Sequence, residues 1–254
     1  MRSYCNFIAV VAGILFAGIA ATEAAAADGK IAVTFIGHAA FEVRSPGGTT
    51  LLIDPFITKN PAAPEKMKNL GQYKPEAILV THSHGDHVGD TVEIAATTGA
   101  KVVGAWDHIN SLGLADGQGV GGNPGGQVRI GDVVVHLVPA MHSSDPGGRP
   151  VGFVIEFSDG RTLYHTGDTG IFGDMSLIQE LYDPNIILLQ AGGGPFNQQP
   201  QHAALAIKKY FDPDIIVPMH YGTFDILADN AEVAAAFEDD SRARMMRPGD
   251  SASF

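Results

Sequence analysis

The stretch Thr81-His82-Ser83-His84-Gly85-Asp86-His87 decides the fold, and it directly follows the apolar run Ala77-Ile78-Leu79-Val80. Three imidazoles and one carboxylate fall within the six residues 82–87. A strand that ends in a tight turn can aim these four side chains at one point, and zinc and neighbouring divalent ions bind imidazole and carboxylate. The alternative is a solvated polar turn, but so dense a cluster of ligand-type residues favours a metal site.

Three further candidate ligands follow apolar, β-rich runs, where a loop at a strand end is expected. They are His142, Asp168 and His220. Taken alone, either histidine would be interpreted as a surface or turn residue, and Asp168 as a turn residue in Gly167-Asp168-Thr169-Gly170. Together with the cluster at 82–87, all three are better interpreted as metal ligands.

Six motifs, in this order, resemble those of the metallo-β-lactamase superfamily, and within it the small metal-dependent hydrolases related to the ascorbate-6-phosphate lactonases. The motifs are Ile36-Gly37-His38-Ala39-Ala40-Phe41, Leu52-Ile53-Asp54-Pro55-Phe56, Gly85-Asp86-His87-Val88-Gly89-Asp90-Thr91, Pro139-Ala140-Met141-His142-Ser143-Ser144, Gly167-Asp168-Thr169-Gly170 and Pro218-Met219-His220-Tyr221. The resemblance covers roughly residues 31–225. It implies an α/β fold, a four-layer αβ/βα sandwich, with a metal site at the edge between the two sheets.

The resemblance also implies two sets of metal ligands. A first metal ion would be held by His82, His84 and His142, a second by Asp86, His87 and His220, and Asp168 would bridge the two. Two divalent ions about 3.5–4 Å apart can share a hydroxide that serves as the nucleophile. Zinc is the default for this histidine-rich set, and manganese, iron and nickel are also compatible with nitrogen and oxygen ligands.

Asp86 and His38 are the candidate catalytic residues, and the resemblance places His38 and Asp54 near the metal site. A ligating histidine usually donates its second N–H to a carboxylate or carbonyl, so Asp54 is the candidate acceptor. His38 would polarise the substrate or donate a proton. The alternative for His38 and Asp54 is a packed, hydrogen-bonded pair with no part in catalysis.

Several residues near these motifs have more than one interpretation. Ser143 and Ser144 could donate hydrogen bonds to substrate or form a turn. His165 could line a pocket, although a satisfied interior histidine is the favoured interpretation. Gly192-Gly193-Gly194 could let a loop approach the metals closely. The segment 195–202 departs from the pattern of the resembling proteins and would shape substrate access. His202 could reach the site or be an ordinary helix residue.

Composition and the first residues limit partners and compartment. The chain has 254 residues, with 28 acidic against 16 basic side chains and a net charge of −12. Because phosphate binding needs a basic surface, this balance argues against nucleic acid and leaves a small-molecule substrate. Residues 1–27 have the pattern of a cleaved secretory signal peptide, and their apolar run is shorter than a membrane span.

Residues 28–254 would then form one hydrolase domain, periplasmic or secreted, with no stable membrane anchor. The only cysteine, Cys5, lies in the expected signal segment, so neither a disulfide nor a thiol nucleophile is expected in the processed chain. The sequence does not indicate the oligomeric state.

Apolar β-rich runs alternate with helical patterns in two halves, about 31–130 and 131–225. Strands are predicted at 31–36, 40–44, 50–53, 77–80, 101–104, 133–138, 151–157, 162–165, 186–189 and 215–217, and helices at 90–98, 106–112, 175–181, 202–210 and 231–237. The glycine-rich segment 116–126 is predicted to be a loop, and 239–254 a loose end.

The full set of candidate ligands favours a hydrolase, and the resemblance to the lactonases implies cleavage of an ester-type bond, of the lactone or phosphodiester class. One alternative is hydrolysis of a β-lactam, suggested by the expected compartment. Another is a non-catalytic metal-binding or sensing module on the same fold, which would keep the ligands but lack an open, substrate-sized cavity.

Overall fold

A computed structural model of the protein describes residues 29–145 and 147–254. The expected signal segment, residues 1–27, lies outside the described residues. Within the described part of the chain, no helix is long and apolar enough to cross a membrane.

Seven strands form the first sheet, in the order β13-β1-β2-β3-β4-β5-β6. The strands are β1 (Ala32–Gly37), β2 (Ala40–Arg44), β3 (Thr50–Ile53), β4 (Ala77–Val80), β5 (Lys101–Ala105), β6 (Gly119–Gly122) and β13 (Ser251–Ser253). Strands β13, β1, β2 and β3 pair antiparallel, whereas β3, β4, β5 and β6 pair parallel. The parallel half therefore sends the carboxyl ends of its strands to one edge.

Six strands form the second sheet, in the order β12-β11-β10-β9-β8-β7. The strands are β7 (Gln127–Ile130), β8 (Val133–Pro139), β9 (Val151–Glu156), β10 (Thr162–His165), β11 (Ile186–Gln190) and β12 (Ile215–Met219). Pairing is antiparallel from β7 to β10 and parallel from β10 to β12. This sheet, like the first, has one parallel and one antiparallel half.

Six helices accompany the sheets in the described part of the chain. They are α1 (Gly85–Val88), α2 (Thr91–Thr98), α3 (Trp106–Ser111), α4 (Met175–Tyr182), α5 (Pro200–Tyr210) and α6 (Asn230–Ala236). Two short 3₁₀ turns lie at Glu65–Met67 and Leu70–Gln72. Helix α6 begins at a capping box, in which the Asp229 carboxylate accepts from two backbone N–H groups and Glu232 accepts from the Asp229 N–H.

Alternating side chains of the strands build the layers, because successive residues of a strand point to opposite faces. In β4, Leu79 packs into the core between the sheets, while Ile78 packs outward with the apolar sides of α2 and α3. In β11, Leu188 packs between the sheets, and Leu189 packs outward under α4, α5 and α6. The result is the predicted four-layer αβ/βα sandwich.

Three sequence predictions about this fold were wrong. Residues 116–126 are not only loop, because β6 extends the parallel side of the first sheet. The second sheet begins earlier than residue 131, with β7. The segment 239–254 is not a loose end, since β13 pairs with β1 and the Phe254 carbonyl accepts from the Ile31 N–H and from the Arg161 guanidinium. Strand β6 is glycine-rich and β13 has only 3 residues, whereas β7 alternates polar and apolar residues but is only 4 residues long.

A single carboxylate joins the sheets at the edge where β3, β8 and β10 begin. Asp132, in the turn between β7 and β8, accepts from the Ser45 hydroxyl at 2.6 Å and from the Gly47 N–H at 3.0 Å, both in the turn before β3. It also accepts from the Ser158 hydroxyl at 3.1 Å. We call Asp132 and these partners the hairpin edge. Strands that start here end at the opposite edge.

Candidate metal centre

The opposite edge collects the predicted ligands, because each follows the end of a strand that runs towards it. The stretch 82–87 follows β4 and continues into α1. His142 follows β8, Asp168 follows β10 and His220 follows β12 directly. We call this the metal edge. All seven predicted ligands are brought together there, although they come from four separate parts of the chain.

The predicted first ligand set is a compact group of three imidazoles. One ring nitrogen each of His82, His84 and His142 can be chosen so that all three lie within 4.8 Å of one another. The closest pair is His82 Nε2 and His84 Nδ1, 2.9 Å apart. Burial and the neighbouring His87 lower the pKa of His82 to about 2. A neutral imidazole is the form that binds a metal ion.

The predicted second ligand set lies beside the first. A further histidine, His38, lies among its members although it was not predicted as a ligand. Asp86, His87 and His220 group within the same 4.8 Å limit together with His38. His87 Nε2 lies 3.2 Å from His220 Nε2, and His220 Nε2 lies 3.8 Å from Asp86 Oδ2. Nitrogen atoms this close, aimed at a common point, form a suitable donor set for a divalent ion.

Asp168 lies between the two sets. Its Oδ2 is 3.1 Å from His220 Nε2 and 3.5 Å from His142 Nε2, and its Oδ1 is 3.4 Å from His87 Nε2. The side chain is only 3% exposed, yet Oδ1 makes no hydrogen bond with any described residue. A buried carboxylate oxygen without a partner is costly, so this atom points to a ligand that it would bind.

The charge of the centre favours a cation. Burial lowers the pKa of His87, but the carboxylates of Asp168 and Asp54 outweigh burial and raise the pKa well above the ordinary value. Burial raises the pKa of Asp168, whereas His220 and His87 hold it well below the usual range. The carboxylates therefore remain ionised and create a buried negative field. With the imidazole nitrogens around it, the centre fits divalent metal ions.

Asp54 supports this centre from beneath, as predicted. Its Oδ2 lies 2.7 Å from His87 Nδ1 and accepts from the Thr81 hydroxyl, also at 2.7 Å, and its Oδ1 accepts from the Thr81 N–H at 2.8 Å. When the His87 ring is neutral, donation from Nδ1 to Asp54 places its lone pair on Nε2, which faces Asp168 and His220. The contact between Asp54 and a candidate ligand is confirmed.

His38 lies behind Asp86, away from solvent. Its Nε2 is 3.0 Å from Asp86 Oδ2, its Nδ1 is 3.0 Å from the Thr223 hydroxyl, and the residue is 1% exposed. Burial, followed by the nearby His220, lowers its pKa to about 3. The ring can therefore position the Asp86 carboxylate. The alternative in which His38 and Asp54 bond each other is not observed, because Asp54 bonds His87 and Thr81 instead.

Backbone strain concentrates at this edge. Among the described residues other than glycine, four have a positive φ, and three of these are His38 (φ 62°), Asp54 (φ 44°) and His220 (φ 69°). This conformation is unfavourable for residues with a Cβ and persists where the surroundings enforce it. Gly192 lets its backbone lie close to His220. A Cβ at position 192 would clash with the His220 carbonyl oxygen and lie 2.9 Å from Nδ1 of the same histidine.

The remaining candidates are resolved by their contacts. His165 is an interior histidine, as favoured, with Nε2 3.0 Å from the Ala39 carbonyl and Nδ1 accepting from the Gly167 N–H. The Ser143 hydroxyl lies 3.3 Å from His84 Nε2, whereas the Ser144 hydroxyl donates to the Gly147 carbonyl and so forms a turn. His202 is an exposed residue of α5 and does not line the cavity at the metal edge.

A cavity of about 310 Å³ opens onto the cluster. Its floor consists of five of the candidate ligands, and its walls come from the segments after Gly194 and after His220. The wall residues are Phe196, Asn197, Phe224, Ile226 and Leu227. Sequence reasoning singled out the segment of Phe196 and Asn197 but missed the other three. The available signal was a run of apolar residues in an irregular segment next to a candidate ligand.

Comparisons with known proteins agree with this architecture. The model of the beta-lactamase superfamily domain matches residues 49–221. The chain belongs to the metallo-β-lactamase superfamily. Within that superfamily, a UPF0173 metal-dependent hydrolase from Myxococcus xanthus is 45% identical, with 87% of each chain covered. A second such hydrolase, from Thermococcus onnurineus, is 42% identical over 87% of this chain and 98% of its own length.

Solved structures in the metallo-β-lactamase superfamily share the sandwich. Igni18, a metallo hydrolase from the archaeon Ignicoccus hospitalis, is 36% identical with a TM-score of 0.79, covering 89% of this chain and 98% of its own. The isothiocyanate hydrolase from Delia radicum gut bacteria has a TM-score of 0.69 at 17% identity, covering 88% of this chain and 98% of its own. At that identity the likeness concerns the fold alone.

Proposed function

We propose that this chain is a hydrolase that holds two divalent metal ions at the metal edge and cleaves an ester-type bond, of the lactone or phosphodiester class. One observation carries the proposal: Asp168 lies between two groups of candidate ligands, and its buried Oδ1 makes no hydrogen bond with the described residues, although His87 Nε2 is 3.4 Å away. Zinc is the proposed metal, and manganese, iron and nickel fit the same nitrogen and oxygen donors.

Each proposed ligand set uses atoms that already face one another. His82, His84 and His142 would hold one ion, Asp86, His87 and His220 the other, and Asp168 would contact both. Bound ions of this kind lower the pKa of water and polarise a carbonyl or phosphoryl oxygen. Asp54 would accept a hydrogen bond from Nδ1 of His87 and so fix the neutral tautomer in which Nε2 binds the metal ion.

Asp86 and His38 have different proposed parts in catalysis. Asp86 lines both the ligand cluster and the cavity, so its carboxylate can touch a metal ion and the reacting end of a substrate. His38 is buried behind that carboxylate. We therefore propose that His38 acts through Asp86, by holding the orientation of the carboxylate and keeping one of its oxygens hydrogen-bonded.

The cavity supports a catalytic role over a non-catalytic metal-binding module, which would lack a substrate-sized opening at its ligands. The proposed compartment is the periplasm or the exterior, reached through residues 1–27 acting as a cleaved signal peptide. The proposed partner is a small-molecule substrate, in keeping with the net charge of −12, which disfavours nucleic acid.

The proposal is tested by metal analysis and a substrate panel on the same protein. Metal-loaded protein is assayed against lactones, a phosphodiester, a phosphomonoester and a β-lactam, beside the Asp86→Ala variant. Asp174→Ala serves as the control because it removes an exposed carboxylate that makes no capping hydrogen bond at α4. We expect about two metal equivalents and turnover of one class that only Asp86→Ala abolishes. Full metal content without any turnover would contradict the hydrolase proposal.

A further inference from the structure

The cavity at the metal edge has a polar floor and an apolar mouth. The mouth consists of Phe196 on one side and Phe224, Ile226 and Leu227 on the other. Phe196 is 67% exposed, Ile226 53% and Phe224 38%. Large apolar side chains gathered in one exposed place mark a surface that binds something, since covering them removes apolar area from water. The mouth is therefore suited to an apolar group.

The same cavity offers nothing that would bind a free negative charge away from the metal ligands. Among the described residues that line it, none is a lysine or an arginine. Recognition of phosphate or carboxylate groups in proteins relies on arginine, lysine or clusters of backbone N–H groups. Outside the reacting centre, an anionic group of a substrate would find aromatic and aliphatic side chains and one uncharged amide among the described wall residues, on a protein whose net charge is −12.

Asn197 is the one polar side chain of the wall, and it is uncharged. Its Oδ1 is buried and makes no hydrogen bond with the described residues, while its Nδ2 lies 3.5 Å from His220 Nδ1. A neutral amide placed between the floor and the apolar mouth can orient a substrate by donating from Nδ2 to an ester or lactone oxygen. This contact with the Asn197 amide does not require a charged group on the substrate.

We infer that this site takes a neutral carboxylic ester or lactone with an apolar substituent, and that Phe196 and Ile226 set this specificity. The inference rests on the proposed hydrolase function and narrows its substrate class. In the reaction, the oxygen of water bonds to the acyl carbon and the bond from that carbon to the alkoxy oxygen breaks. A proton from water ends on the leaving oxygen, so a lactone yields one hydroxy acid and no redox change occurs.

The first test is a series of γ-lactones whose side chain grows from none to six carbons, assayed beside bis(4-nitrophenyl) phosphate. We expect kcat/KM to rise about 3-fold to 4-fold for each added methylene until the mouth is filled. The diester should be the poorer substrate by about 10-fold or more, because its negative charge must approach through a mouth without lysine or arginine among the described residues, on a protein of net charge −12.

Two pairs of variants locate the effect at the mouth. Phe196→Ala should flatten the dependence on chain length, whereas Leu181→Ala, at a 70% exposed leucine of α4 outside the cavity, should leave it unchanged. Ile226→Arg should raise the ratio of diester to lactone kcat/KM by about 10-fold through a charge-assisted contact. Leu181→Arg makes a matched change of charge elsewhere and should leave this ratio unaltered.

A binding measurement separates this inference from the hydrolase proposal. The neutral ketone 2-nonanone cannot be hydrolysed, and calorimetry should detect its saturable binding to the metal-free protein. Phe196→Ala should weaken that binding about 5-fold or more, and Leu181→Ala should not. Ketone binding without any turnover by metal-loaded protein would sink the hydrolase proposal and leave the apolar site standing.

Three results would overturn the inference while the hydrolase proposal survived. These are lactone turnover that does not depend on chain length, a phosphodiester turned over as well as the best lactone, and a dimer that buries the mouth. Sedimentation of wild type and Phe196→Ala detects such a dimer. If the interface includes Phe196, wild type should sediment as a dimer and the variant as a monomer.

Discussion

The carboxylates at the two edges of the sandwich differ in their hydrogen bonding. At the hairpin edge, the Asp132 carboxylate accepts hydrogen bonds from both sheets. At the metal edge, a buried oxygen of Asp168 has no hydrogen-bond partner, and three residues with side chains have a positive φ. The contrast indicates that one edge joins the fold, whereas the other is built for a ligand and is destabilising without it.

Asp168→Asn should have the largest effect, because it removes the carboxylate that both proposed metal sites share. Loss of metal-dependent catalysis is worth several kcal/mol, so we expect activity to fall on the order of 10³-fold. Metal content should fall by at least one equivalent, measured by elemental analysis.

His136→Gln is the matched control for this variant, because His136 pairs with Glu156 on the sheet and lines no part of the cavity. Its activity and metal content should equal those of wild type. Full metal content in Asp168→Asn would show that the aspartate is not a shared ligand.

Metal removal should destabilise the two edges unequally. A ligand present at 100 times its dissociation constant stabilises the folded state by about 2.7 kcal/mol. For a domain of this size, that gain corresponds to about 5–10 °C in the unfolding temperature. Calorimetry with and without chelator measures this change in the unfolding temperature of the whole domain. Hydrogen exchange should place the loss of protection at residues 82–88 and 220–223 rather than at the turn 45–49. Equal loss at both turns would mean that the edges are not independent.

Asp54→Asn should weaken metal binding about 10-fold to 100-fold, because the amide no longer holds the proton on Nδ1 of His87 as a carboxylate does. Competition with a chelator measures the affinity. Asp174→Asn is the control, with the same change of charge on an exposed residue. Unchanged affinity in Asp54→Asn would show that this hydrogen bond does not influence the ligand.

Sequence reasoning predicted the metal edge better than its surroundings. The cluster at 82–87 and the three later ligands are recognisable because ligand chemistry restricts residue type, and each follows an apolar strand. The walls of the cavity were harder to predict, since Phe224, Ile226 and Leu227 belong to an irregular segment whose position depends on tertiary packing. Strand β6 carries glycines in place of an apolar alternation, so its local sequence could not indicate pairing with β5.

Asp132→Asn should have the smallest effect and should appear only in stability. The amide retains one acceptor oxygen and loses the other, so the bond from Ser45 to Oδ1 cannot persist together with the bonds from Gly47 and Ser158 to Oδ2. Each hydrogen bond to a charged group contributes about 1.5–3 kcal/mol when buried, and this site is partly solvated, so we expect a loss of about 1–2 kcal/mol. Urea unfolding at pH 7 measures it, and activity at 25 °C should not change.

The pH dependence of the stability difference between wild type and Asp132→Asn tests whether the carboxylate charge causes it. Burial raises the pKa of Asp132, but hydrogen bonds from Ser45, Thr49 and Ser158 outweigh it and lower the pKa. The ionised carboxylate therefore stabilises the folded state above the unfolded pKa of about 3.9, and this contribution is lost as pH falls through the lower folded pKa. Wild type and Asp132→Asn should converge in stability below about pH 3. A difference that persists there would mean that packing in the turn, rather than the carboxylate charge, joins the sheets at the hairpin edge.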